Sequence, residues 1–87
     1  MDNREEEIRT FILDQLAGRL TRMGMERKEI TINFDLVKSG LLDSMSFVDL
    51  VVAVEKKYNT EIDFENAFQQ PDFTTISGLI QTIEKEL

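Results

Sequence analysis

Residues 43–58 have the sequence "DSMSFVDLVVAVEKKY", an Asp-Ser pair followed by an apolar segment. Apolar residues recur in this segment every three or four positions, which is the spacing of one face of an α-helix. The spacing predicts a helix from about Ser44 to Tyr58, roughly 22 Å long. The stripe that faces the core is predicted to contain Phe47, Leu50, Val51, Val54 and Tyr58.

The same helix carries a second apolar stripe, turned away from the first and flanked by charge. Two interpretations are open: the helix lies centrally and is contacted on most sides, or the second stripe is an exposed docking surface. The two can coexist, and we expect Met45, nearest the serine, to be exposed. The predicted partner-binding residues are Met45, Val48, Asp49, Val52 and Glu55.

A first helix is predicted from about Asn3 to Met23, with Gly24 ending it. Its apolar face consists of Ile8, Phe11, Ile12, Leu16, Leu20 and Met23. The next segment alternates at Ile30, Ile32 and Phe34 but has no second strand to pair with, so it predicts a long loop whose apolar residues contact the core. In that loop, Asp35 is predicted to cap a short turn that Gly40 ends.

After the central helix, Asn59 and Thr60 are predicted to end the helical segment, and Asp63 to cap a short helix. Pro71 interrupts the chain before a last helix, for which Asp72 or Thr74 is the predicted cap. That helix places Ile76, Leu79, Ile80, Ile83 and Leu87 on one face. We therefore predict an all-α four-helix bundle, with three main helices, one short helix and a long first loop, in a single domain over residues 1–87.

The composition restricts the possible functions. The chain has no cysteine and no histidine, so it lacks disulfides, the ordinary Ser-His and Cys-His nucleophile systems and the commonest zinc ligands. We expect neither an enzyme nor a metal site. The net charge is −7, with net −1 up to Leu42 and net −6 from Asp43 onward, which favours partners with basic patches over nucleic acid.

The polar N-terminus does not resemble a secretory signal, and no apolar run has the roughly 20 residues that a membrane span needs. We therefore expect a cytoplasmic, monomeric protein without a membrane span.

The serines at the start of the central helix have two interpretations. Serine is a favoured N-cap, so Ser44 or Ser46 could simply cap the helix, the latter in an approximate capping box with Asp49. Alternatively, a helix N-terminus favours negative charge, so a serine hydroxyl there suits the attachment of a phosphate ester. Asp43 would partly cancel that gain, and is better explained as a recognition residue for a modifying enzyme.

The segment "DSMSFVDLVVAVEKKY" resembles the acyl carrier proteins and the related peptidyl and aminoacyl carriers. The resemblance implies that Ser44 carries phosphopantetheine, derived from coenzyme A, and that Asp43 serves recognition by the phosphopantetheinyl transferase. Met45 falls on the apolar residue that follows the attachment serine, and Val48, Asp49 and Val52 fall on the family's partner-facing positions. Leu50, Val54, Tyr58 and Ile62 fall on core positions of the family.

Two departures distinguish this chain from carriers of fatty acid synthesis. Lys56 and Lys57 stand where those carriers are typically acidic, and Asp63 stands where many have proline. The segments "GLLDSM" and "FQQPDFTTI" look closer to D-alanyl and aminoacyl carriers, or to carriers of peptide and polyketide pathways.

We therefore expect a carrier that holds an acyl or aminoacyl thioester and presents it to partner enzymes. The expected partners are the transferase, a loading ligase or acyltransferase, and downstream synthases or transferases. The alternative is an unmodified helical interaction adaptor in which Ser44 is only a cap.

Overall fold

The computed structural model describes residues 4–87, and this part of the chain is helical without a strand. Its elements are α1 (Arg4–Met23), a short 3-10 turn (Arg27–Glu29), α2 (Ser44–Tyr58), α3 (Phe64–Ala67) and α4 (Ile76–Glu86). The predicted all-α plan, with three main helices, one short helix and a long first loop, is confirmed. The predicted start of the first helix, Asn3, lies outside the described residues.

The core is one cluster to which all four helices and the long loop contribute. In α2 the predicted core stripe is confirmed, because Phe47, Leu50, Val51 and Val54 are buried and Tyr58 is half-buried. In α1 the prediction needs two corrections. Met23 is 51% exposed, because it lies in the last turn, while Leu13 is buried beside the predicted face.

The connection between α1 and α2 is held by the segment that leads into α4. The backbone N–H groups of Ile76 and Ser77 donate to the carbonyls of Phe34 and Ile32, at 3.1 and 2.8 Å. The alternating pattern of the loop therefore reflects pairing with the start of a helix. The prediction that its apolar residues contact the core holds for Ile30, which is fully buried, but is wrong for Ile32, which is 42% exposed.

Asp35 joins the loop to the start of α4. Its Oδ1 accepts hydrogen bonds from the backbone N–H groups of Val37 and Lys38 at 3.0 and 2.7 Å, which confirms the predicted capped turn. The Thr74 hydroxyl donates to the same carboxylate at 2.9 Å. Burial opposes ionisation of Asp35, but the hydrogen bonds from the Lys38 backbone, the Thr74 hydroxyl and the Val37 backbone outweigh it, so the pKa of this carboxyl is lowered.

The cap of α4 is Thr75, whose hydroxyl accepts from the Gly78 backbone at 2.9 Å. The predicted caps Asp72 and Thr74 are therefore wrong, and Thr74 binds Asp35 instead. The prediction that Leu87 belongs to the apolar face of this helix is also wrong, because Leu87 follows the helix and is 44% exposed. Asp63 is confirmed as the cap of α3, since its carboxylate accepts from the Asn66 backbone at 3.3 Å.

Candidate functional site

The start of α2 is capped by Asp43. This residue has an extended backbone conformation, and its Oδ1 accepts from the Ser46 backbone N–H at 2.8 Å. The interpretation of Ser44 or Ser46 as the cap is therefore wrong, because the preceding carboxylate already fills that position. The hydrogen bonds from the Ser46 backbone and hydroxyl lower the pKa of Asp43, and the nearby Arg19 charge adds to this effect.

Ser44 is the first helical residue of α2 and is exposed. The other three serines use their hydroxyls: Ser39 accepts from the Leu41 backbone, Ser46 from Arg19, and Ser77 from Gln81. Within residues 4–87, the Ser44 hydroxyl has no such partner. It is therefore an accessible alcohol at the start of a helix, and the fold does not depend on a hydrogen bond from it.

The second apolar stripe of α2 begins at the exposed end of the helix. Met45 is 76% exposed, as predicted, whereas Val48 and Val52 are half-buried. Asp49 is exposed beside them. The two interpretations of this stripe therefore both apply in part: its first residue is open to solvent, and its later residues are partly covered.

Glu55 has a structural contact that its sequence position did not indicate. Its Oε2 accepts from the Ile62 backbone N–H at 2.6 Å, so this carboxylate holds the connection after α2 against the helix. Lys57 lies 6.0 Å from the centroid of the Phe11 ring. Lys56 is exposed and lines an open groove with Val52 and Phe64.

Arg19 contributes to the start of α2 from the neighbouring helix α1. Its Nη2 donates to the Ser46 Oγ at 3.3 Å, and its charge acts on Asp43. It lines a shallow groove of about 200 Å³ between α1 and α2, together with Gln15 and Asp49. This residue could not be predicted from the sequence, since no local pattern relates it to a helix that begins 25 positions later.

Phe68 is a second residue that no sequence pattern singled out. It ends α3 and is 49% exposed, although three other phenylalanine rings surround it. Its ring lies edge-on to Phe47 and Phe73, with centroids 6.2 and 5.1 Å apart, and stacks on Phe64 at 5.9 Å. The spacing of Phe64, Phe68 and Phe73 was the available signal, but it does not distinguish an exposed ring from a buried one.

The model of a protein family described as phosphopantetheine attachment site matches residues 12–83. This chain belongs to that family. The match includes Asp43 and the whole of α2, and it confirms the resemblance to acyl carrier proteins. No solved structure matches the chain.

The carrier therefore bears covalently attached phosphopantetheine, and it is not itself a catalyst, because domains of this family carry substrates for other enzymes. The residues fit such a group, since Ser44 offers an exposed hydroxyl without a hydrogen bond in the described chain. When bound, phosphopantetheine supplies a thiol that forms thioesters. No helix in residues 4–87 is long and apolar enough to cross a membrane.

Proposed function

We propose that this chain is an acyl or aminoacyl carrier whose phosphopantetheine arm is attached to Ser44. The observation that carries the proposal is the exposed hydroxyl of Ser44 at the first residue of α2, which makes no hydrogen bond within residues 4–87, while the other three serines use theirs in hydrogen bonds. In the modification, the Ser44 oxygen forms a bond to the phosphorus of coenzyme A that bears pantetheine. The diphosphate bond breaks, adenosine 3′,5′-bisphosphate leaves, and the hydroxyl proton is released.

In this proposal, Asp43 serves recognition by the phosphopantetheinyl transferase as well as capping α2. Its carboxylate is fixed by the hydrogen bond to the Ser46 backbone, so it holds a negative charge at a set position beside Ser44. A basic surface of the transferase would be attracted to a charge that is already oriented, which raises the association rate more than the final affinity.

The proposed partner surface consists of Met45, Val48, Asp49 and Val52. Met45 supports this role most directly, since an apolar side chain with three quarters of its surface in water is suited to contact with a partner. Glu55 supports it least, because its carboxylate is engaged by the Ile62 backbone. The partners proposed for this surface are the transferase, the loading ligase and the downstream synthase or transferase enzymes.

The attachment site is tested by intact mass after incubation with coenzyme A and a broad-specificity phosphopantetheinyl transferase. We expect one phosphopantetheinyl addition to the wild-type chain and to Ser46→Ala, and none to Ser44→Ala. Ser46→Ala is the matched control, because it removes a hydroxyl two residues away in the same helical turn. An unchanged wild-type mass with several active transferases would favour the unmodified adaptor.

The class of cargo is tested on the modified carrier. Loading ligases for D-alanine, other amino acids and acyl groups are supplied in turn with ATP and the matching acid, and thioester formation is read by intact mass. Addition of an amino acid alone would assign an aminoacyl carrier, and addition of a carboxylic acid without an amino group would assign an acyl carrier. Release of the added mass by hydroxylamine would confirm the thioester.

A further inference from the structure

Arg19 of α1 is joined to the start of α2 by hydrogen bonds through Ser46. The Arg19 Nη2 donates to the Ser46 Oγ at 3.3 Å, and both side chains are half-buried in the groove between the two helices. The backbone N–H of Ser46 in turn donates to the Asp43 Oδ1 at 2.8 Å. The residue that precedes Ser44 is therefore linked to a helix that is remote in the sequence.

The chemistry of donors and acceptors fixes the direction of the Ser46 hydroxyl. A guanidinium group has only donors, so the Ser46 oxygen accepts from Arg19 and keeps its single hydrogen for another acceptor. The Asp43 carboxylate receives that hydrogen in addition to the Ser46 backbone N–H. These two hydrogen bonds lower the pKa of Asp43, and the Arg19 charge lowers it further. Arg19 thus helps to hold the Asp43 carboxylate in one orientation.

We propose that Arg19 is a positioning residue for the modification of Ser44, which acts through Ser46 by holding the Asp43 carboxylate in the orientation that the transferase recognises. This inference rests on the proposed attachment to Ser44 and on the proposed recognition of Asp43. Arg19 lies in α1, outside the Asp-Ser pair and outside the proposed partner surface of α2. It therefore adds to the modification site a residue from a second helix.

The sign of the effect distinguishes positioning from electrostatic steering. A basic surface of the transferase is attracted to negative charge, so steering alone would make the Arg19 cation unfavourable, and its removal should speed association. Positioning predicts the opposite, because a carboxylate that samples several orientations has to be ordered when the transferase binds. Removal of Arg19 should thus slow the modification although it makes the carrier more acidic.

The test measures initial rates of phosphopantetheine transfer from coenzyme A, since a slower variant still reaches full modification. In Arg19→Met, which keeps an unbranched stem but no charge or donor, kcat/KM for the carrier should fall by about 2- to 10-fold, the range that one hydrogen bond sets. Arg22→Met is the matched control, because it changes the net charge equally one turn along α1. Arg22 is exposed and makes no hydrogen bond or ion pair within residues 4–87, so its substitution should not lower kcat/KM.

The same substitution in an Asp43→Asn background shows whether Arg19 acts through Asp43. Asparagine can still cap α2 but presents no negative charge, so Arg19→Met should there cause no further loss. A loss that came from weaker packing of α1 on α2 would persist in this background. Independently, the pKa of the Asp43 carboxyl, measured by NMR, should rise in Arg19→Met because a nearby cation is removed, and should not change in Arg22→Met.

Several results would overturn the positioning role while attachment at Ser44 stands. These are an unchanged or faster rate in Arg19→Met, an equal fall in Arg22→Met, an undiminished fall in the Asp43→Asn background, an unchanged Asp43 pKa in Arg19→Met, or a wild-type rate in Asp43→Asn itself. A wild-type chain that gains no mass from the transferase would remove this inference together with the proposed function. If Arg19→Met fails to fold, Arg19→Ala is compared with Arg22→Ala in the same assays.

Discussion

At the start of α2, the helix cap and the free hydroxyl belong to neighbouring residues. Asp43 supplies the acceptor for the Ser46 backbone N–H, and Ser44 is left with an exposed hydroxyl that has no hydrogen bond within residues 4–87. A serine cap would have its oxygen engaged by the helix backbone. The carboxylate in front of the serine therefore makes the hydroxyl available for an ester bond.

Substituting Ser44→Ala tests this separation of roles. Because the Ser44 hydroxyl makes no hydrogen bond within residues 4–87, we expect the free energy of unfolding to change by no more than about 0.5 kcal/mol. A capping serine would instead cost about 1 kcal/mol when replaced by alanine. Urea denaturation at pH 7 measures the difference. Asp43→Ala is the control that should destabilise the protein, and a similar loss in both variants would contradict the assignment of the cap.

The stability contributed by Asp43 depends on pH. Its pKa in the folded protein lies below the ordinary value of 3.8, because the Ser46 backbone and hydroxyl donate to the carboxylate. The folded state therefore binds fewer protons than the unfolded state as the pH approaches this range. The contribution is fully present above the unfolded pKa and is lost as the pH falls through the folded pKa.

Asp43→Asn should remove this pH dependence while keeping an oxygen that can cap the helix. We expect the wild-type chain to exceed the variant in unfolding free energy at neutral pH, and the gap to close as the pH falls below about 4. Urea unfolding from pH 2 to pH 7 measures it. Asp49→Asn is the control, because it changes the net charge equally at a carboxylate that accepts no backbone hydrogen bond within residues 4–87. A pH-dependent difference of the same shape in that control would exclude a specific effect of Asp43.

Among the elements, α4 is fixed by the segment immediately before it. The Gly78 position in its first turn lies against the backbone of Asp72. A Cβ atom at this position would lie 1.9 Å from the Asp72 carbonyl oxygen and 2.7 Å from its carbonyl carbon. These are backbone atoms that the Asp35–Thr74 hydrogen bond helps to hold, so they cannot move aside as a flexible side chain would.

Gly78→Ala should therefore destabilise the protein, by roughly 1–3 kcal/mol as in other overpacked sites. Gly18→Ala is the matched control in α1, where the nearest atom to the added Cβ is the end of the Arg22 side chain at 3.9 Å. There the same substitution should stabilise the helix by about 0.5–1 kcal/mol. Thermal or urea unfolding measures both, and a stabilising effect at both positions would refute the close approach at Gly78.

The sequence predicted the elements better than it predicted their ends. Helical spacing sufficed for α2, because its core stripe is long and continuous. The cap of α4 could not be chosen among Asp72, Thr74 and Thr75, which all have suitable side chains. The choice depends on Asp35, 39 positions before Thr74, because that carboxylate takes the Thr74 hydroxyl and leaves Thr75 for the helix.

The candidate site also has a part that the sequence predicted and a part that required the folded structure. The Asp-Ser pair sufficed to predict Ser44 as the attachment residue, because the family motif is local, and that assignment stays a prediction. The capping role of Asp43 could not be separated from that of either serine without the backbone path. The contact of Arg19 with Ser46 and that of the Phe68 ring with Phe47 join residues far apart in the chain, so only the folded structure brings them together.

At the scale of the whole molecule, negative charge is in excess and unevenly distributed. The net charge is −7, of which −6 falls from Asp43 onward, the part that contains α2, α3 and α4. Like charges repel one another in the compact state, and the repulsion is stronger at low ionic strength. A single domain over residues 1–87 stays a prediction, although one core cluster runs from Ile8 to Ile83.

The end of α4 offers a test of this charge balance. Glu86 is exposed in the last turn, where both the excess of acidic residues and the helix dipole disfavour a negative charge. We expect Glu86→Gln to raise the unfolding free energy by about 0.3–1 kcal/mol at low salt. Lys85→Gln, one residue away, should lower it by a similar amount, because it removes a favourable cation.

Salt distinguishes electrostatics from packing in this pair of variants. At 1 M NaCl the screening length falls to about 3 Å, so both differences should shrink toward zero. Thermal and urea unfolding at low and high NaCl concentration measure this. Because both side chains are exposed at the same helix end, a change in local packing would persist in high salt. Differences that stay constant across the salt range would therefore show that charge does not limit the stability of this acidic bundle.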